Sequence, residues 1–231
     1  MSRGVVYIVW GTAHDQYLER SISSLKSIHP ELPYEVFRLP DDPVPYRGLL
    51  AKSRMMAMTP YDETLYLDTD TIIMDRLDCG FDKAIKFGLA CAFCECPWAR
   101  RYRGFGKCDD IEYNTGVIFF TRAAEGVFRR WEELAPTFDS LIWHIGSDGV
   151  RSYMPFNDQG AFAKAVAEWD RAPFVLPLNW NFRPNWNWTW FGPIKIWHDY
   201  STPQPDLVAG LAKYRDPNSV VQFHWFGNRS R

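Results

Sequence analysis

The chain has 231 residues, of which 46% are hydrophobic and 23% charged, a composition that excludes a disordered chain and suits one globular domain with a sizeable core. Its formal net charge of −2 provides no global basic field to recruit nucleic acid or an anionic membrane. No run approaches the roughly 18 apolar residues that span a bilayer. The apolar part of the opening "MSRGVVYIVWGTAHDQY" is also too short for a secretory leader, so a soluble, cytoplasmic protein is expected.

Residues 4–10, "GVVYIVW", read as a first strand. A loop "GTAHD" follows, then a helix over 16–30 in which Tyr17, Leu18, Ile22, Leu25 and Ile28 lie near helical spacing until Pro30 stops it. "YEVFRL" (34–39) is a second strand, and "DDPVP" is too rich in proline for regular structure. "LLAKSRMMAMTP" (49–60) reads as a helix ending near Pro60, and "ETLYL" begins a third strand. This β-α-β-α-β order predicts an α/β fold with a mostly parallel sheet flanked by helices. Further on, 87–95 and 115–121 read as strands, 123–135 and 157–169 as helices, and 194–198 and 220–226 as short late strands. No repeat or linker interrupts the chain, so 1–231 is expected to be a single domain.

The third strand runs into "LDTDTII", which puts Asp68 and Asp70 at its carboxyl end, where ligands of open α/β sheets bind. A bare buried carboxylate costs about several kcal/mol, so the pair implies a cation, a ring of donors, or a place just beyond the strand. Three readings compete. The pair caps a turn, as Asp and Thr commonly do. It belongs to a phosphatase of the haloacid dehalogenase type, against which stand Ile72, where that motif carries Thr or Val, and the sixty residues before it. Or the two carboxylates face one divalent hard cation that leaves positions open for the oxygens of a diphosphate and neutralises the charge of that leaving group.

The context of the pair resembles a known family. The segment "KSRMMAMTPYDETLYLDTDTII" is similar to the metal-motif segment of sugar-nucleotide-dependent glycosyltransferases of the GT-A fold, particularly glycosyltransferase family 8 and the glycogenin-like proteins. Three further stretches fit in order: "EYNTGVIFF" resembles the family's Asn-x-Gly-Val strand, "FNDQGAF" its Asn-Asp-Gln helix start, and "LPLNWNFRP" the segment before its last metal ligand. The resemblance implies a GT-A (Rossmann-like) domain with a metal-binding D-x-D motif. It implies donor contacts from Thr12 in the first loop and Thr69 between the carboxylates, from Lys52 and Arg54 toward the phosphates or sugar, and from Asn114 and Gly116 in the sugar pocket. Asp158 and Gln159 would lie beside the sugar as catalytic residues, and Mn²⁺ or Mg²⁺ would be held by Asp68, Asp70 and a late histidine. His198 in "PIKIWHDYSTP" is preferred for that position, with His224 in "VVQFHWFGN" as the alternative. His14, His29 and His144 read as structural or surface residues.

Each of these residues also has a plainer reading. Lys52 and Arg54 suit a solvated helix face, Asn114 and Gly116 a turn into a strand, and Asp158 an acidic helix start. The five cysteines include "CAFCEC", which lacks a second C-x-x-C or a nearby His, so reduced structural thiols are expected. Four of the eleven tryptophans fall in "NWNFRPNWNWTWFG" (179–192), a platform for a glycan acceptor or a piece of core. "NWT" and "NRS" match glycosylation acceptors by coincidence if no secretory leader exists. The expected function is metal-dependent transfer of a hexose from a nucleoside diphosphate sugar, UDP-linked by resemblance, to a glycan or other acceptor with retained configuration. The alternative is a non-catalytic binder of nucleotide sugars or glycans with the same fold.

Overall fold

The computed structural model describes residues 1–44, 46–95, 111–137, 142–145, 149–154, 156–187, 189–205, 207–208 and 222–224. Strands β1 (Arg3–Trp10), β2 (Tyr34–Leu39), β3 (Glu63–Leu67), β5 (Leu89–Phe93), β6 (Tyr113–Thr121) and β9 (Phe174–Leu176) form one sheet in the order β2-β1-β3-β6-β5-β9. The pairs β1/β2, β1/β3 and β5/β9 are parallel, whereas β6 runs antiparallel to both β3 and β5. Smaller two-stranded sheets join β4 (Thr71–Ile73) to β11 (Ile196–His198), β7 (Ile142–Ile145) to β8 (Arg151–Met154), and β10 (Thr189–Phe191) to β12 (Gln222–His224).

Side chains alternate across the central strands, and both faces are covered. Val5, Tyr7, Val9, Leu65, Leu67, Val117 and Phe119 point to one side, against Leu18 and Leu25 of helix α1 (Asp15–Ile28) and Phe81 and Ala84 of helix α3 (Asp78–Phe87). Val6, Ile8, Tyr66, Ile118 and Phe120 point to the other, against Phe128 and Trp131 of helix α4 (Glu125–Leu134) and Phe162 and Ala165 of helix α5 (Asp158–Ala167). A strand buried on both faces needs apolar residues without a break, which is why these strands read so clearly as sequence.

Two elements depart from expectation. Residues 47–54 wind as a 3₁₀ helix (Arg47–Arg54) that passes into a single α turn, α2 (Met55–Met58), rather than one α-helix over 49–60. There the Ser53 hydroxyl donates to the Leu50 carbonyl three residues back at 2.7 Å, a local bond that suits the tighter winding. Helix α3 and strand β9 are additional to the elements read from sequence. Gly80 in α3 lies where a Cβ would come within 2.5 Å of the Phe119 ring, so the helix is held close to the sheet by a residue that disfavours helix. Cys79 and Cys91 are free thiols, the Cys94 sulfur accepts from Gln159 Nε2 at 3.6 Å and from Arg183 at 3.7 Å, and Cys96 and Cys108 lie outside the described residues, as does the "NRS" sequence.

The reversed direction of β6 creates the site. Because Leu67 pairs with Val117 in an antiparallel register, the start of β6 lies beside the end of β3, and the Asp68 amide donates to the Gly116 carbonyl at 2.8 Å. The pairing of β4 with β11 places His198 opposite Thr71. Three chain segments thus meet at the carboxyl edge of β1 and β3.

Candidate active site

Asp68 and Asp70 are positioned by the tight turn between β3 and β4. The Thr71 hydroxyl donates to the Asp68 carbonyl at 2.7 Å and exchanges a second bond with Ser21 of α1 at 2.9 Å. Across β11, the Asp199 amide donates to the Asp70 carbonyl at 3.0 Å. The result gathers Asp68, Asp70 and His198, which offer ligand atoms all within 4.8 Å of one another. His198 Nε2 lies 3.3 Å from Asp70 Oδ1 and 3.8 Å from Asp68 Oδ2. Burial alone would push the Asp70 carboxyl up, but the facing His198 ring outweighs it and holds the group at about 2. Burial pulls the His198 ring down, and Asp70 and then Asp68 more than reverse this, so its pKa is raised. His224 is described only as a strand residue opposite Thr189, so His198 is the histidine that the described residues bring to the carboxylates.

Lys52 is buried, with 5% of its surface exposed, and its Nζ lies 2.8 Å from Asp68 Oδ1 and 3.0 Å from Asp158 Oδ2. Desolvation disfavours its charge, but Asp158 and Asp68 outweigh that and raise its pKa well above the usual 10.5. Tyr66 donates its hydroxyl to Asp68 Oδ1 at 2.7 Å; burial, and then Asp68, keep the phenol protonated. Arg54, two residues beyond Lys52, points elsewhere: its side chain is 64% exposed and lies 3.6 Å from Glu132 on α4. In a helix of about three residues per turn, a residue two positions on is rotated by roughly 240°, so a lysine facing inward sends this arginine outward. The donor contact expected of Arg54 is corrected on that ground.

Asn157 caps α5, its side chain accepting from the Gln159 amide at 3.0 Å, and so delivers the next two residues to the cleft. Asp158 Oδ2 accepts from the Thr115 hydroxyl at 2.5 Å, and Gln159 Nε2 donates to Glu112 Oε1 at 3.0 Å. Asn114 and Gly116 stand at the start of β6. The Gly116 amide donates to Asn114 Oδ1 at 2.9 Å, and Asn181 Nδ2 donates to the same oxygen at 2.8 Å. A Cβ on Gly116 would run into the His198 ring and come within 2.8 Å of Asp68 Oδ2.

These residues border a cleft of about 630 Å³ that Lys52, Asp68, Asp70, Asn114, Asp158 and Gln159 share. A smaller hollow of about 130 Å³ adjoins it beneath the β1–α1 loop and includes Thr69, Trp10 and His14. His14 therefore borders the cleft, and its buried Nδ1 has no hydrogen-bond partner among the described residues. Thr12 is exposed beside that hollow, its carbonyl accepting from the Asp15 amide at 3.1 Å. His29 is structural: Nε2 accepts from the Leu77 amide at 2.9 Å, and Nδ1 lies 2.9 Å from Glu31. His144 is described only as part of β7.

Residues that sequence reasoning did not single out complete the site. They are Tyr66 and Asn181, and Arg20 of α1, whose guanidinium donates to the carbonyls of Asp199, Tyr200 and Ser201 at 2.8, 2.8 and 3.3 Å. The tryptophan-rich segment divides between its two readings. Trp180 is core, packing edge-on against Phe119 with centroids 5.8 Å apart. Trp186 is 48% exposed on the cleft, with the Arg183 guanidinium 5.7 Å from its ring. Trp188 lies outside the described residues.

The donor set fits a hard divalent cation. Two carboxylates and an imidazole converge, and three acidic groups (Asp68, Asp70 and Asp158) face one lysine and the His198 ring. No helix among the described residues is long and apolar enough to cross a membrane.

No protein-family model and no curated protein matches the sequence. Solved structures do match. The galactosyltransferase LgtC, in complex with donor and acceptor sugar analogues, aligns with a TM-score of 0.58 at 13% identity, covering 90% of this chain and 95% of LgtC. Mouse xyloside xylosyltransferase 1 aligns at 0.56 with 13% identity, covering 89% and 100% of the two chains. The glycosyltransferase GlyE of Streptococcus pneumoniae TIGR4 aligns at 0.52 with 15% identity, covering 96% of this chain and 58% of GlyE. At these identities the likeness is one of fold, and the fold is the GT-A type shared by these glycosyltransferases.

Proposed function

We propose that residues 1–231 form a single metal-dependent glycosyltransferase domain, which moves a hexose from a nucleoside diphosphate sugar, with UDP as the nucleotide, to a glycan or other acceptor. The observation that carries this reading is the convergence of Asp68, Asp70 and His198 beside a buried lysine on a sugar-sized cleft. Mn²⁺ or Mg²⁺ held by those three residues would supply Lewis-acid neutralisation of the departing diphosphate. Lys52 lies between Asp68 and Asp158, close enough to that centre to add its charge to the phosphates while keeping both carboxylates compensated. The β1–α1 loop with Thr12 and His14, and the turn with Thr69, border the hollow suited to the nucleoside. Asn114 and Gly116 would line the sugar pocket.

Asp158 and Gln159 would orient the hexose. Because Asp158 Oδ2 is already engaged by Thr115 and Lys52, this carboxylate is poorly suited to take a proton from an acceptor, which favours retention over inversion by a general base. Gln159 is held through its amide nitrogen by Glu112, which fixes the end of the amide presented to the substrate. Trp186 at the rim offers an apolar face for an acceptor sugar.

The test is a panel of nucleotide sugars incubated with Mn²⁺ or Mg²⁺ and no acceptor, reading release of the nucleoside diphosphate. Slow hydrolysis of one donor, abolished by chelator, is expected. Binding of a nucleotide sugar without turnover, whatever the metal and acceptor, would leave the non-catalytic binder as the correct description.

A further inference from the structure

The polarity of one backbone amide decides which nitrogen of His198 faces the carboxylates. The Gly116 N–H can only donate, so the Asn114 atom 2.9 Å from it is the oxygen. The Asn181 atom 2.8 Å from that same oxygen must then be the NH₂ group, and the opposite end of Asn181, 2.6 Å from His198 Nδ1, is its carbonyl oxygen. A carbonyl oxygen accepts, so Nδ1 carries the proton and donates. Nε2 is left to face Asp70 and Asp68, at 3.3 and 3.8 Å.

From this chain of bonds we propose that Asn181 is a positioning residue for the metal centre. It fixes His198 as the Nδ1–H form and holds the ring in the plane that presents Nε2 to a divalent cation. The inference rests on the metal reading given above for the same site. Asn181 is buried, with 2% of its surface exposed, and among the described residues it bonds neither carboxylate directly; the metal-ligating side chain it touches is His198. Gly116 is the common anchor: its N–H starts the relay to His198, and its carbonyl receives the Asp68 amide at 2.8 Å. Both sides of the centre are therefore referenced to one residue, Gly116, at the start of β6. Outer-shell partners of this kind change metal affinity by about 10–100-fold when removed.

The experiment measures Mn²⁺ affinity by electron paramagnetic resonance in the parent, Asn181→Ala, His198→Ala and the double variant, with the thermal midpoint of each metal-free protein as a control for folding. Asn181→Ala should weaken Mn²⁺ by about 10-fold or more, and should do nothing further once His198 is alanine. Asn181→Asp keeps an acceptor for Nδ1 and should bind Mn²⁺ better than Asn181→Ala; if the alanine variant does not fold, Asn181→Leu, which fills the space and also lacks an acceptor, serves in its place in the same cycle. In parallel, ¹⁵N-edited NMR of the metal-free parent should show a protonated, slowly exchanging His198 Nδ1, with faster exchange in Asn181→Ala. Unprotonated Nδ1 in the parent overturns the proposal, as does an Asn181→Ala loss that persists in the His198→Ala background. Mn²⁺ binding indifferent to Asn181→Ala refutes the relay alone. A parent that binds no Mn²⁺ even with UDP refutes the metal centre, and with it the purpose assigned to Asn181.

Discussion

Lys52→Met tests how much of the site's stability depends on one buried cation. Methionine keeps the length of the side chain and removes its charge, leaving Asp68 and Asp158 without the ammonium now 2.8 and 3.0 Å from them. Removing one partner of a buried ion pair costs about 3–5 kcal/mol, chiefly because a charge is left uncompensated. For a chain of this length each kcal/mol lowers the melting temperature by about 2–4 °C, so Lys52→Met should melt about 6–20 °C below the parent in the presence of chelator. If the lost compensation is the cause, Lys52→Met/Asp158→Asn should recover much of the deficit, and Mn²⁺ should recover part of it by replacing the missing positive charge. Because the folded lysine has its pKa raised well above 10.5, its contribution is fully present below the unfolded pKa and is lost only as pH rises through the folded value. The deficit should therefore be constant across neutral and mildly alkaline pH. Scanning calorimetry reads all of this, and a Lys52→Met midpoint close to that of the parent would refute the reasoning.

Four further outcomes are expected. Gly116→Ala should lower stability by about 1–3 kcal/mol and weaken Mn²⁺ binding, since the new methyl enters the space between His198 and Asp68; unchanged affinity by electron paramagnetic resonance would contradict the close approach. UDP binding, followed by calorimetry, should require Mn²⁺ or Mg²⁺ in the parent, and Asp70→Ala should abolish that dependence while the protein remains folded; equal affinity with and without chelator in the parent removes the metal bridge. Asp158→Asn and Gln159→Ala should lower turnover with little change in donor affinity, because orientation of the reacting sugar appears mainly in the transition state; full activity in both would locate the reaction elsewhere on the cleft. Arg54→Ala should change stability by less than about 1 kcal/mol and leave donor affinity unaltered, as expected for an exposed ion pair with Glu132.

The sequence made some of this legible and not the rest, for physical reasons. β1 and β3 were readable because the central strands are covered on both faces and carry nearly unbroken apolar runs, whereas β2, at the sheet edge, showed itself by β-prone residues around the exposed Glu35 and Arg38. The clustering of Asp68, Asp70 and His198 was foreshadowed by a D-x-D at a strand end and, for the histidine, by the family resemblance and its distance after "LPLNWNFRP". Helix α3 gave no periodic signal: Phe81 and Ala84 are its main buried apolar side chains, Ile85 is exposed, and Gly80 argues against helix until Phe119 is known to pack there. The direction of β6 is absent from local sequence altogether, since an apolar strand reads alike in either sense. That direction brings Asn114 and Gly116 to Asp68. Asn181 and Tyr66 escaped notice because a polar side chain acquires its role only when tertiary packing supplies its partner, and Arg54 was assigned inward by the family resemblance alone, since two positions along either kind of helix turn away from Lys52.

The grip of Arg20 on three successive carbonyls of 199–201 has a consequence for when the metal centre forms. An ion bridging Asp70 and His198 would close a loop on the order of a hundred residues, a constraint whose entropic cost is about 4–5 kcal/mol by analogy with a covalent crosslink. Arg20 and the pairing of β11 with β4 hold those ends together through bonds that use no ligand side chain of the centre. The ligands are therefore gathered by folding rather than by the ion. On the proposed function, affinity that would otherwise go into ordering the chain would remain available for the oxygens of a diphosphate, so an ion could arrive and depart with the nucleotide while the scaffold stays in place.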